Sequence, residues 1–138
     1  MEKKLKKFSV GNFVRGTGLT SRIEDLTKGL VYMSETDAPF DVFVTGTEEF
    51  YGGLEKENRP VEEVSFDKFF ARLVKIQDWH SDKEKETAQK FLRLEEFLAS
   101  SLADLRVFRI GRVQIEIYVV GLDEDGRLVG TKTKAIET

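Results

Sequence analysis

The chain has 138 residues, of which 40% are hydrophobic and none is cysteine. That length suits one domain with a core of its own, and the lack of thiols excludes disulfides, thiolate metal sites and cysteine nucleophiles. The net charge of -3 hides an asymmetry, because Lys3, Lys4, Lys6, Lys7 and Arg15 outweigh Glu2 at the start while the remainder is acidic. An acidic body suits a basic protein partner better than nucleic acid, whose affinity comes from neutralising phosphates. No run of about 18 apolar residues is present to span a bilayer. The opening Met1-Glu-Lys-Lys-Leu-Lys-Lys-Phe8 has no apolar stretch after its basic residues, so the sequence reads as cytoplasmic, with no membrane contact.

Residues 1–20 read as a flexible basic arm ahead of a single domain over 21–138. Gly11, Gly16 and Gly18 lie in that arm without the Lys-Ser/Thr ending of a phosphate loop. Ser21-x-x-Glu24 is a capping box that predicts a helix start, with Ile23, Leu26 and Leu30 on one side and Gly29 ending it in the left-handed conformation. The polar loop Ser34-Glu-Thr-Asp37 is wedged between apolar segments, where either binding groups or a plain capped turn would fit. Pro39 limits helix before it, and Phe40 to Val44 reads as a strand. Residues 45–63 are glycine-rich and acidic and predict a long hairpin loop or an irregular crossing.

Ser65 caps a helix whose Phe66, Phe69, Phe70 and Leu73 follow helical spacing, so those side chains read as core. After the break at Ile76 to His80, Ser81-x-x-Glu84 is a second capping box. It opens a long helix to about Ala103, with Phe91, Leu94, Leu98, Leu102 and Leu105 as its buried stripe, widened by Phe97 and Ser101. Arg106 to Ile110 then reads as a strand turning at Gly111. In the next run, Val113, Ile115, Ile117 and Val119 alternate with Gln114, Glu116, Tyr118 and Val120, which predicts a strand buried mainly on one side. Asp125-Gly126 reverses the chain, and Leu128 onward forms the return strand of a hairpin. The pattern is α+β: helices flanking a mainly antiparallel sheet.

Enzymatic chemistry is thinly supplied. His80 is the single histidine and reads as a solvated surface residue. Asp123-Glu-Asp-Gly126 begins like a calcium loop, but the twelfth position holds Lys134, so a reversal accounts for it better.

Several stretches carry a family resemblance. Gly29-Leu-Val-Tyr-Met-Ser-Glu-Thr-Asp-Ala-Pro-Phe-Asp-Val-Phe43, Ser65-Phe-Asp-Lys-Phe-Phe70, Gln77-Asp-Trp79, Val107-Phe-Arg-Ile-Gly111, Ile117-Tyr-Val-Val-Gly121 and Lys134-Ala-Ile-Glu-Thr138 resemble, in order and spacing, the nuclease A inhibitor (NuiA-like) family. The likeness covers roughly 26–44 and 64–138. It implies a three-layer α/β/α sandwich similar to the plant pathogenesis-related class 1 fold. It also implies a protein inhibitor, not an enzyme, that needs no cofactor and acts on a sugar-non-specific nuclease of the ββα-metal type.

In that family pattern Glu35 enters the nuclease active site, Gln77 and Trp79 lie at the interface, and Thr138 reaches the partner's catalytic Mg2+. Physical chemistry agrees with these roles. A nuclease cleft built for phosphodiester oxygens holds a hard cation that prefers oxygen ligands. A chain ending at Thr138 would offer it a carboxylate and a hydroxyl, and Glu35 a second charge for a cleft Arg or Lys. Trp79 is either an interface anchor or a core tryptophan against Phe69 and Phe70. His80 departs from the aromatic expected after the Trp. A non-inhibitory interaction module on the same scaffold is the alternative reading.

Overall fold

The computed structural model describes residues 14–138, with side chains from Gly18 onward; of the arm expected over residues 1–20, residues 1–13 lie outside the described residues. Described elements run in the order α1 (Val14–Thr27), β1 (Val31–Met33), β2 (Asp37–Pro39), β3 (Asp41–Thr45), α2 (Thr47–Glu55), β4 (Val61–Val64), α3 (Phe66–Val74), α4 (Asp82–Ser101), β5 (Ala103–Ile110), β6 (Gln114–Leu122) and β7 (Leu128–Ile136). The architecture is α+β, as expected. β3-β7-β6-β5-β4 form one sheet in that order, with every neighbouring pair antiparallel. β1 and β2 make a small separate hairpin.

The capping signals at Ser65 and Ser81 act as read. Ser65 accepts from the Lys68 amide to start α3, and Ser81 and Glu84 close a full capping box on α4. Ser21 does not act so: α1 starts at Val14 and Ser21 lies inside it, which makes residues 14–20 helical instead of part of an arm. Gly29, at φ +80°, ends that helix in the left-handed conformation. α4 stops at Ser101 with Leu102 as its cap, and Leu105 stands on β5, only partly buried.

The stretch 45–63 is not a loop. It holds α2 and β4, and α2 explains why β6 is buried on both faces and not mainly on one. Ile115, Ile117 and Val119 join the principal core with Phe70, Leu94 and Leu98 of α3 and α4. Tyr118 and Val120, of opposite parity, join Phe108, Ile110 and Leu128 in a second cluster packed by Phe43, Phe50, Tyr51 and Leu54. The Phe50 ring lies 5.3 Å from Tyr118, 5.6 Å from Phe108 and 5.7 Å from Phe43, centroid to centroid. Glycines at 52 and 53 weaken α2 by about 1 kcal/mol each relative to alanine. These aromatic contacts, each worth about 0.5–1.5 kcal/mol beyond area burial, offset that loss.

Candidate functional site

The polar loop between β1 and β2 is a tip bound to the segment after β7. Tyr32, the inward residue of β1, stacks on Phe69 of α3 at 5.7 Å and meets Phe40 edge-on at 6.3 Å, which seats the hairpin on the core. Thr133 of β7 donates its hydroxyl to the Pro39 carbonyl at 2.9 Å from the other side. The Ser34 hydroxyl donates to the Thr36 carbonyl (2.9 Å) and accepts the Ile136 amide (3.0 Å), while the Glu35 amide donates to the Ile136 carbonyl (3.2 Å).

Glu35 and Thr138, far apart in sequence, meet here directly. Glu35 Oε2 accepts both the Thr138 hydroxyl (2.6 Å) and the Thr138 amide (2.8 Å). The hydroxyl first and the amide second hold the Glu35 carboxyl below the ordinary glutamate range. Both residues are exposed. Between them and the sheet, the Glu137 amide donates to the Val113 carbonyl (2.9 Å), and Glu137 Oε1 receives Arg109 Nη2 at 2.6 Å. Burial opposes the Arg109 charge, yet the hydrogen bond to the Glu137 carboxylate and its charge, with a smaller effect from Tyr32, outweigh it and raise its pKa. Glu62 Oε1 of β4 lies 3.6 Å from Arg109 Nε.

Gln77 and Trp79 form a second feature on the loop between α3 and α4. Trp79 is 77% exposed, so the reading as a core tryptophan against Phe69 and Phe70 is wrong. The phenylalanines fill the core themselves, their own rings 5.4 Å apart. His80 is partly buried and closes the loop: its Nδ1 accepts the Gln77 amide at 3.0 Å, and its own amide donates to the Gln77 carbonyl at 3.1 Å. It is thus a loop staple more than a solvated side chain. The Trp79 and His80 rings sit 5.6 Å apart, edge to face. Ile76, 46% exposed, adds apolar surface beside them. Among the described residues, neither Gln77 nor Trp79 hydrogen-bonds to Glu35 or Thr138.

A family model described as nuclease A inhibitor-like protein matches residues 17–138. The chain belongs to the nuclease A inhibitor-like family. No curated protein matches it. The family match takes in the tip, the Trp79 loop and also 45–63, which the sequence motifs had not covered.

In this nuclease A inhibitor-like protein, no group of His, Cys, Asp or Glu among the described residues is arranged to hold a metal ion. The Asp123 carboxylate, the start of the supposed calcium loop, is taken up by the Asp125 and Arg127 amides (2.9 Å each) and the Arg127 guanidinium (3.0 Å). That closes the β6–β7 reversal with Gly126 at φ +80°. Beside the tip lies a groove of about 350 Å³ whose lining includes Thr36, Pro39, Arg59, Glu116 and Lys134. Its Arg59 is committed to Glu57 (2.9 Å) and Glu116 (3.2 Å), which drives the Glu57 pKa down to about 2. No helix among the described residues is long and apolar enough to cross a membrane.

Sequence reasoning missed the Ser34–Ile136 bond, Arg109 and the structural use of His80. For Arg109 a signal existed: within Val107-Phe-Arg-Ile it shares the parity of Val107, so it points to the core side of β5, where an arginine needs partners.

Proposed function

We propose that this protein is a stoichiometric inhibitor of a sugar-non-specific ββα-metal nuclease, docking with Glu35 and Thr138 in the nuclease active site near its Mg2+. Membership of the nuclease A inhibitor-like family supports a nuclease as the partner. The observation that carries the residue-level reading is the exposed Glu35–Thr138 pair, joined by hydrogen bonds of 2.6 and 2.8 Å. It presents oxygen ligands at one point, as a hard cation requires. Glu35 Oε2 is engaged by Thr138, which leaves Oε1 to meet a cationic group of the cleft. Where the chain ends at Thr138, its carboxylate adds a second anion. Gln77 and the exposed Trp79 supply a contact outside the cleft, where tryptophan is a frequent anchor.

We read the protein as non-enzymatic, because the single histidine has its Nδ1 engaged in holding a loop. We also read the two apolar clusters on alternate faces of β6 as the core of a three-layer α/β/α sandwich of the pathogenesis-related class 1 kind. The test is titration of ββα-metal nucleases with the wild-type chain and with a form lacking Thr138. Inhibition at one-to-one stoichiometry by the wild type, largely lost on deletion with melting temperature preserved, is expected. Equal inhibition by both forms would overturn the docking mode, and none by either would favour an interaction module with another partner.

A further inference from the structure

The last residue of β7 and the two that follow it are each held, and one of these ties crosses the sheet. Ile136 is bound by Ser34, the Glu137 amide by Val113, and Thr138 by Glu35. The Glu137 carboxylate instead reaches Arg109 of β5, whose side chain is only 17% exposed. Arg109 Nε also lies 3.6 Å from Glu62 of β4. One guanidinium therefore ties the residue before Thr138 to β5 and β4, across the sheet from β7.

We infer that Arg109 is a positioning residue for partner docking: through Glu137 it holds Thr138 against Glu35 in the geometry the partner site receives. The inference rests on the inhibitor reading above. The Thr138–Glu35 bonds are exposed and join two exposed residues, so they open readily on their own, whereas the Glu137 tie is anchored on a largely buried arginine. A displacement of about 1 Å is enough to cost a positioned group much of its effect. The guanidinium suits the task because its planar fork can serve several acceptors at fixed angles, which a lysine ammonium cannot.

The experiment uses the full chain as Arg109→Gln and as Glu137→Gln. Nitrogen-15 relaxation of the Thr138 amide is measured in the free protein, and dissociation rates from an inhibited ββα-metal nuclease in the complex. Positioning predicts that both variants loosen the Thr138 amide while β6 amides keep their order. It also predicts inhibition weakened roughly tenfold through faster dissociation, in the range of coupled neighbours. Charge alone predicts the opposite for Arg109→Gln, since a more acidic inhibitor is drawn more strongly to a cationic cleft.

A Thr138 amide as ordered as in wild type, or Arg109→Gln inhibiting as well or better, overturns the inference. Should Arg109→Gln unfold, Glu137→Gln decides alone, because that side chain is exposed and leaves Arg109 its Glu62 contact. A wild-type chain that inhibits no such nuclease sinks the inhibitor reading instead, and the relaxation measurement then decides whether Arg109 fixes Thr138.

Discussion

At the Glu35–Thr138 tip, polar groups are fixed by hydrogen bonds to a hairpin, to β7 and, through Glu137, to a shielded arginine. At the Trp79 loop, a large apolar side chain stands 77% exposed on a turn closed by His80 and Gln77. The difference matches two kinds of recognition. Oxygen ligands and charges act only at defined distances, so their carrier must be rigid. Apolar contact is non-directional and tolerates a carrier that adjusts. If the comparison holds, small geometric changes should matter at the tip, whereas at the loop only loss of area should matter.

The largest effect should come from Glu35→Ala, with a loss of about 2–5 kcal/mol in nuclease binding, the usual result of removing one member of a desolvated charge pair. The melting temperature should hardly move, since the side chain is exposed. Calorimetric titration alongside thermal melts checks both, and unchanged affinity would break the tip's half of the comparison. Trp79→Ala should follow, costing roughly 2 kcal/mol of binding if it is an anchor, while Trp79→Phe should restore most of that. A loop that instead demanded exact geometry would show Phe no better than Ala.

His80→Ala removes an acceptor from the Gln77 amide and should lower stability by about 0.5–1.5 kcal/mol. His80→Asn, which offers an oxygen at similar reach, should recover part of it. Denaturant midpoints at constant slope are the readout, and equal midpoints for Ala and wild type would show that the staple contributes nothing.

The smallest effect concerns pH. The folded-state pKa of Glu35 is depressed by Thr138, so the tip bond contributes above the unfolded pKa and is lost as pH falls through the folded one. Carbon-13 titration should find Glu35 ionised at pH values where ordinary exposed glutamates are already protonated. Thr138→Ala should move its midpoint upward while leaving the amide bond in place. A midpoint unchanged by that substitution would mean that the hydroxyl does not hold the carboxylate.

Much of the frame was legible because local signals decided it. Ser65 and Ser81 mark starts that tertiary contacts leave alone, and the alternation along β6 follows from the pleat itself. The helix α2 was hidden because Gly52 and Gly53 contradict it locally, and only the aromatic cluster on the far face of the sheet selects it. Ser21 misled for the converse reason: a capping pair has no force once the helix continues from upstream. Glu35, Gln77, Trp79 and Thr138 were singled out by resemblance alone. Periodicity does not reveal that Glu35 and Thr138 touch, nor that Arg109 lies between Glu62 of β4 and Glu137 after β7.

The bond between Glu35 and Thr138 joins residues 103 positions apart. During folding, contacts across so long an interval form only after their closure entropy is met by the structure between them. Hairpins such as β6–β7 and the caps of α3 and α4 need far shorter closures. The tip is therefore a late product of folding, and a chain with its helices and its central hairpin formed still has Glu35 and Thr138 apart. If the tip is the inhibitory site proposed above, recovery of inhibition after dilution from denaturant times the completion of the whole domain, where fluorescence or circular dichroism times its parts.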